Sequence, residues 1–194
     1  MKTINAKPKH RACHHPLRVE IFARLDVGLP GQHVLHGCND QVSADQKLLG
    51  LAKALGWIAA GVENHQTAIV GDELECLLGF TFGWLMQLGE EMPFDKIHAE
   101  RVRQEKLFRT GKITLNVASP TPDVKRKLRV LVEEVGEVAQ AIDQLELAEN
   151  SPRGRMQYWR FHLCEELIQV AAVTVAWMES LQTATESQTG NRKS

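Results

Sequence analysis

The sequence lacks the features that mark several large classes of protein. Its formal net charge is −1 at pH 7, so the chain is neither a disordered polyion nor a polycation built to bind a nucleic acid polymer. Its longest apolar runs, at 77–86 and 170–178, fall short of the roughly 20 residues that a membrane span requires. The basic start MKTINAKPKHRACHH is followed by no apolar segment of a secretory signal. We therefore expect a cytoplasmic protein with no membrane partner.

Motifs for several familiar chemistries are also missing. The chain contains no Gly-rich phosphate loop, no GxSxG and no HExxH. Its four cysteines form no CxxC pair, so we expect reduced thiols in a cytoplasmic protein. The cysteines and histidines of the first forty residues match no regular zinc spacing, and we expect no zinc site among them. They are Cys13, His14, His15, His33, His36 and Cys38.

Helical periodicity is what the sequence does contain, from residue 43 onward. Residues 1–42 are rich in proline and glycine and indicate an irregular arm with room for one short helix. Residues 43–92 form a predicted pair of helices, residues 93–183 carry three more, and the polar tail 184–194 is predicted to be disordered. The sequence therefore predicts an all-α bundle. The five predicted helices span 43–61, 71–89, 94–110, 122–147 and 158–182.

The fourth predicted helix combines a good start signal with an unusual group of acids. Thr121 suits the N-cap and Pro122 the first helical position. Apolar residues recur at spacings of three and four and form one stripe. At about 100° per residue, Glu134 lies at the edge of this stripe, and Glu137 and Glu133 lie progressively beyond it. The three carboxylates are therefore neighbours on one flank of the helix.

The last predicted helix supplies further polar groups in an apolar setting. Nearly every residue from 167 to 178 is apolar, which is typical of a helix buried on most sides. Glu165 and Glu166 lie at the entrance to this run, and Gln169 lies inside it. Buried carboxylates need a partner, and Mg²⁺ favours hard oxygen ligands of this kind. The two acidic helices together predict a metal site.

The first predicted helix pair resembles the second. KLLGLAKALGWIAAGV from Lys47 overlays KLRVLVEEVGEVAQAI from Lys127 without gaps, and DELECLLGFTFGWLMQL overlays EELIQVAAVTVAWMESL. Two explanations remain open: any two amphipathic helices can be slid into register, or the chain carries a degenerate duplication whose first copy has lost the acids. The matched residues include Leu51/Leu131, Gly56/Gly136, Glu73/Glu166, Thr81/Thr174 and Trp84/Trp177.

EEVGE at 133–137, followed by EELIQ at 165–169, resembles the EExxE…ExxD signature of MazG-like, all-α nucleoside triphosphate pyrophosphohydrolases. The upstream segment ERVRQEKLFRTGK resembles the lead-in helix of phage and bacterial members. The resemblance covers about residues 94–182. It implies a helical bundle that cleaves a nucleoside triphosphate, often a deoxy or non-canonical one, between its α and β phosphates.

The resemblance also implies roles for individual residues. Glu133, Glu134, Glu137 and Glu166 would hold Mg²⁺ or Mn²⁺, with one of the first three acting instead as the base for the attacking water. Gln169 stands where the family has an aspartate, so it would be a ligand without charge. Arg103, Lys106 and Lys112 would meet phosphate, and subunits would pair as a homodimer or a higher oligomer. The alternative is a non-catalytic helical module that mediates contacts and binds a cation structurally or not at all.

Overall fold

The computed structural model describes residues 42–120, 123–149 and 153–190, with the backbone alone for 153 and 185–190. The described residues belong to one compact unit and contain no strand, so the predicted all-α fold is confirmed. The five helices are α1 (Ala44–Glu63), α2 (Thr67–Gln87), α3 (Pro93–Arg109), α4 (Val124–Ala148) and α5 (Arg153–Gly190).

Polar side chains fix the starts of α1 and α4. Ser43 Oγ accepts a hydrogen bond from the backbone N–H of Gln46 (3.2 Å), and Gln46 Oε1 accepts one from the backbone N–H of Ser43 (3.1 Å). This capping box satisfies two N–H groups that the helix leaves free. At α4 the N-cap is Asp123, whose Oδ1 accepts from the N–H of Lys125 (3.1 Å). The predicted N-cap at Thr121 was therefore wrong by two residues; residues 121–122 themselves lie outside the described residues.

Two helices are longer than the sequence predicted. α2 begins at Thr67 rather than at residue 71, and α5 extends from Arg153 to Gly190 rather than from 158 to 182. The predicted tail 184–194 is therefore helical as far as Gly190. The added turns of α5 are polar, so they carry no apolar stripe by which sequence periodicity marks a helix. The predicted arm 1–42 lies outside the described residues except for residue 42.

Four of the helices form the core. α1 packs against α2 and α4, while α5 packs against α2 and α4 and also carries α3 on its outer side. Trp84 and Trp177 are both buried in this core. One stretch, Gly154–Ala184, is long and apolar enough to cross a membrane, but 72% of its most apolar window is buried inside the bundle. A central core helix has the same composition as a membrane span.

Corresponding residues of the two helix pairs make corresponding contacts. Lys47 and Lys127 are both buried near the start of their helices. Lys47 Nζ donates to Gln87 Oε1, and Lys127 Nζ donates to Ser180 Oγ at 2.6 Å. Gln87 and Ser180 are equivalent in the gapless overlay of the sequence. Chance register of leucines does not predict a matched polar contact between helices, so these contacts favour the duplication.

Candidate metal site

Three carboxylates from α4 and α5 lie together on the side of the bundle where α3 packs. One oxygen from each of Glu134, Glu137 and Glu166 lies within 4.8 Å of the other two. Glu134 and Glu137 share a face of α4 because they are three residues apart, and α5 runs alongside to present Glu166. Three of the predicted metal ligands are thus brought together within one chain.

The surroundings of Glu134 in this cluster disfavour its ionised form. The pKa of Glu134 is raised from 4.5 to about 7, first by burial and then by the nearby charges of Glu137, Glu166, Glu133 and Glu100, in that order of importance. Its Oε2 atom is buried and makes no hydrogen bond. A buried carboxylate oxygen without a donor is costly, so this site is unfavourable unless a proton or a cation is present.

Glu166 is more deeply buried and has close neighbours. Burial raises its pKa, and a hydrogen bond with the carboxyl of Glu137 raises it further, because that bond requires one of the two groups to keep a proton. His162 Nδ1 lies 3.3 Å from Glu166 Oε1, one helical turn away on α5. Gln169 Nε2 donates to Glu166 Oε2 at 2.6 Å. The bond from Gln169 holds Glu166 in place within the cluster.

The geometry of the three oxygens suits a small divalent cation. An octahedral Mg²⁺ with bonds of about 2.1 Å places its ligand oxygens about 3.0 to 4.2 Å apart. Because the three carboxylate oxygens lie within 4.8 Å of one another, side-chain movements that shift each oxygen by about 1 Å are enough to reach this spacing. Binding would also remove the repulsion that raises the pKa of Glu134. These residues therefore fit a metal ion.

Gln169 contributes to this site as a donor. Its nitrogen faces Glu166, so its carbonyl oxygen is not used in that contact. To coordinate a cation through the oxygen, the amide must give up its hydrogen bond or rotate about its last bond. The position predicted as an uncharged ligand therefore acts in this structure as a support for Glu166.

Two clefts open beside the cluster. The first, of about 570 Å³, lies between α3 and α5, and its polar lining includes Lys96, Glu100, Arg103 and Glu166. The second, of about 270 Å³, lies between α3, the loop at 113–117, α4 and α5, and Glu134 is part of its wall. Arg103 and Gln169 line both clefts. The acidic cluster thus lies at the junction of the two clefts, with Glu166 in the wall of the first and Glu134 in the wall of the second.

The other predicted site residues lie further out. Glu133 is exposed on α4 and is not one of the three clustered acids. Arg103 Nε and Nη2 donate to the two carboxylate oxygens of Glu100 at 2.6 and 2.7 Å. The guanidinium beside the site is therefore already paired with a carboxylate. Lys106 and Lys112 are exposed and line neither cleft. Among the predicted phosphate contacts, the structure places Arg103 alone beside the cluster.

Two neighbours of the site, His162 and Glu100, were not predicted from the sequence. His162 precedes Glu166 by four residues, a spacing that puts both on one helix face and that was available as a signal. Glu100 carries no such signal, because its approach to Glu134 depends on how α3 packs across the bundle.

Comparison of the chain with known protein families, with curated proteins and with solved structures finds no match.

Proposed function

We propose that this chain is a magnesium-dependent nucleoside triphosphate pyrophosphohydrolase. The observation that carries the proposal is the cluster of Glu134, Glu137 and Glu166, in which a buried carboxylate oxygen has no hydrogen-bond donor. Its resemblance to the MazG-like signature and its position at the junction of two clefts agree with this role. The substrate would be a nucleoside triphosphate, and the products a nucleoside monophosphate and pyrophosphate.

Each group has a part in this reaction. Glu134, Glu137 and Glu166 hold the cation, and Gln169 and His162 fix the orientation of Glu166. Bound Mg²⁺ supplies neutralisation of phosphate charge and orientation of the triphosphate. Arg103 meets phosphate oxygens in the first cleft by exchanging or sharing its bond with Glu100. Of the three motif glutamates on α4, Glu133 is the one left to accept the proton of the water that attacks the α phosphorus.

The test is to incubate the chain with a panel of nucleoside and deoxynucleoside triphosphates and Mg²⁺, and to separate pyrophosphate from single phosphate. We expect pyrophosphate and a monophosphate in equal amounts. Glu134→Gln should remove the activity, while Glu146→Gln, an exposed acid on the same helix, should not. Release of single phosphate, or equal rates for wild type and Glu134→Gln, would contradict the proposal. The absence of any turnover would favour the non-catalytic helical module.

A further inference from the structure

The second cleft has a different chemistry from the acidic cluster that it adjoins. Much of its wall is apolar, and its volume of about 270 Å³ is at the lower end of ligand pockets. A small, partly apolar space beside a metal site suits the flat, uncharged end of a ligand better than its charged end. The apolar lining residues are Leu107, Ile113, Leu115, Val117, Val130 and Val173.

Gln104 lines this cleft with an amide whose orientation is fixed. Arg101 Nη1 donates to Gln104 Oε1 (3.2 Å), and a guanidinium has no acceptor, so the atom facing it must be the oxygen. Gln104 Nε2 donates in turn to Glu100 Oε1 (3.1 Å). An amide nitrogen carries two hydrogens, so one N–H of Gln104 is left for a ligand.

Asn116 presents the same polarity from the loop. The backbone N–H of Ala118 donates to Asn116 Oδ1 (3.0 Å), which fixes the oxygen. Asn116 Nδ2 donates to Glu105 Oε2 (3.2 Å) and keeps one further hydrogen. Gln104 and Asn116 are therefore both oriented as donors by partners that the ligand does not have to displace.

Arg101 supports this wall by fixing the orientation of Gln104. Its Nη2 pairs with Glu179 at 2.9 Å, which neutralises its charge, while its Nε is buried and makes no hydrogen bond. The cleft wall formed by α3 and the loop thus offers two N–H groups, one from Gln104 and one from Asn116. N–H groups in a ligand cleft require acceptors, and the carbonyl oxygens of a nucleobase can provide them.

We infer that the second cleft binds the base of the nucleotide and selects a single-ring base with two carbonyl oxygens, as in uracil and thymine. This rests on the proposed function, since it takes the phosphates to lie at the acidic cluster. Cytosine has the same size but carries an amino group in place of one carbonyl, so an N–H of the base would face an N–H of the protein. Adenine has no carbonyl, and both purines are larger than a single ring.

Binding of nucleoside monophosphates, measured by calorimetry, tests the inference without turnover. We expect dUMP and dTMP to bind at least about tenfold more tightly than dCMP, because a mismatched pair leaves two buried donors unsatisfied. Purine monophosphates should bind more weakly than dUMP. Equal binding of dUMP and dCMP, or no binding of any monophosphate, would overturn the inference. Binding of dUMP by a protein that releases no pyrophosphate would instead overturn the proposed function alone.

Variants locate the binding in this cleft. Val130→Phe fills the space and should weaken dUMP binding by about tenfold or more. Val132→Phe is the matched control, because Val132 lies two residues away on α4 with half of its surface exposed. Gln104→Met keeps the shape but removes the donor, and should reduce the ratio of dUMP to dCMP affinity. If Val130→Phe does not melt cooperatively, the ratio of dUMP to dCMP affinity in Gln104→Met decides whether the base binds in this cleft. An unchanged ratio would refute the role of the cleft.

Discussion

Replacing Glu134 with glutamine should stabilise the metal-free protein above pH 7. The rise in the pKa of Glu134 from 4.5 to about 7 means that the folded state opposes its ionisation. Since a tenfold change in proton affinity equals about 1.4 kcal/mol, the cost of ionising Glu134 is at most about 3.4 kcal/mol. Its side chain is only partly buried, and solvent screening reduces this to about 1–2 kcal/mol. Glutamine has a similar shape and no charge.

The pH dependence has a definite sign. Between pH 4.5 and about 7 the folded state of the wild type holds the Glu134 proton more tightly than the unfolded state does. The stability due to this proton is therefore fully present below pH 4.5 and is lost as the pH rises through about 7. The advantage of Glu134→Gln over wild type should be small at acid pH and largest above pH 7.

Thermal unfolding in the presence of a chelator measures this effect. For a chain of this size, about 1–2 kcal/mol corresponds to a rise in Tm of roughly 2–8 °C. Saturating Mg²⁺ should reverse the order, because a ligand at 100 times its Kd adds about 2.7 kcal/mol to the wild type and nothing to the variant. The control is Glu146→Gln, with no expected change. A Tm of Glu134→Gln below that of the wild type above pH 7, or a gain in Tm that is the same at all pH values, would refute the reasoning.

Four further substitutions follow from the same structure. Lys127 is buried and its pKa is lowered to about 8, so wild-type stability should rise between pH 8 and 10.5 in urea titrations, a rise that Lys127→Met should lack. Leu51→Ala should cost about 2–5 kcal/mol in the same titrations, because Leu51 is fully buried. Leu49→Ala, with 59% of Leu49 exposed, should change stability by less than about 0.5 kcal/mol. Gln169→Asp should lower the Mg²⁺ concentration needed for half-maximal stabilisation, and an unchanged value would argue that position 169 does not face the metal.

Much of the helical architecture was predictable because local signals and packing agree. The predicted start of α1 at residue 43 lies within one residue of the observed start, which the capping box of Ser43 and Gln46 fixes. The order of the glutamates along the flank of α4 was also informative. The wheel placed Glu134 and Glu137 nearer the core than Glu133, and the structure brings the first two together with Glu166 and leaves Glu133 outside the cluster.

The packing of α3 was not predictable from the pattern. The helix is largely polar, and its position is set by distant contacts such as Arg101 with Glu179, 78 residues apart. Both clefts depend on that position, as does the approach of Glu100 to the acidic cluster. The role of Gln169 as a donor to Glu166 was equally hidden, because an amide at that spacing can offer either of its two ends.

Direct titration with Mn²⁺, followed by electron paramagnetic resonance, tests the claim that Glu134, Glu137 and Glu166 form a metal site. The wild type should bind a single Mn²⁺ per chain, and Mg²⁺ should displace it. Glu134→Gln and Glu166→Gln should lose this binding, while Glu133→Gln and Glu146→Gln should keep it. An absence of Mn²⁺ binding in the wild type, or its survival in Glu134→Gln, would contradict the account.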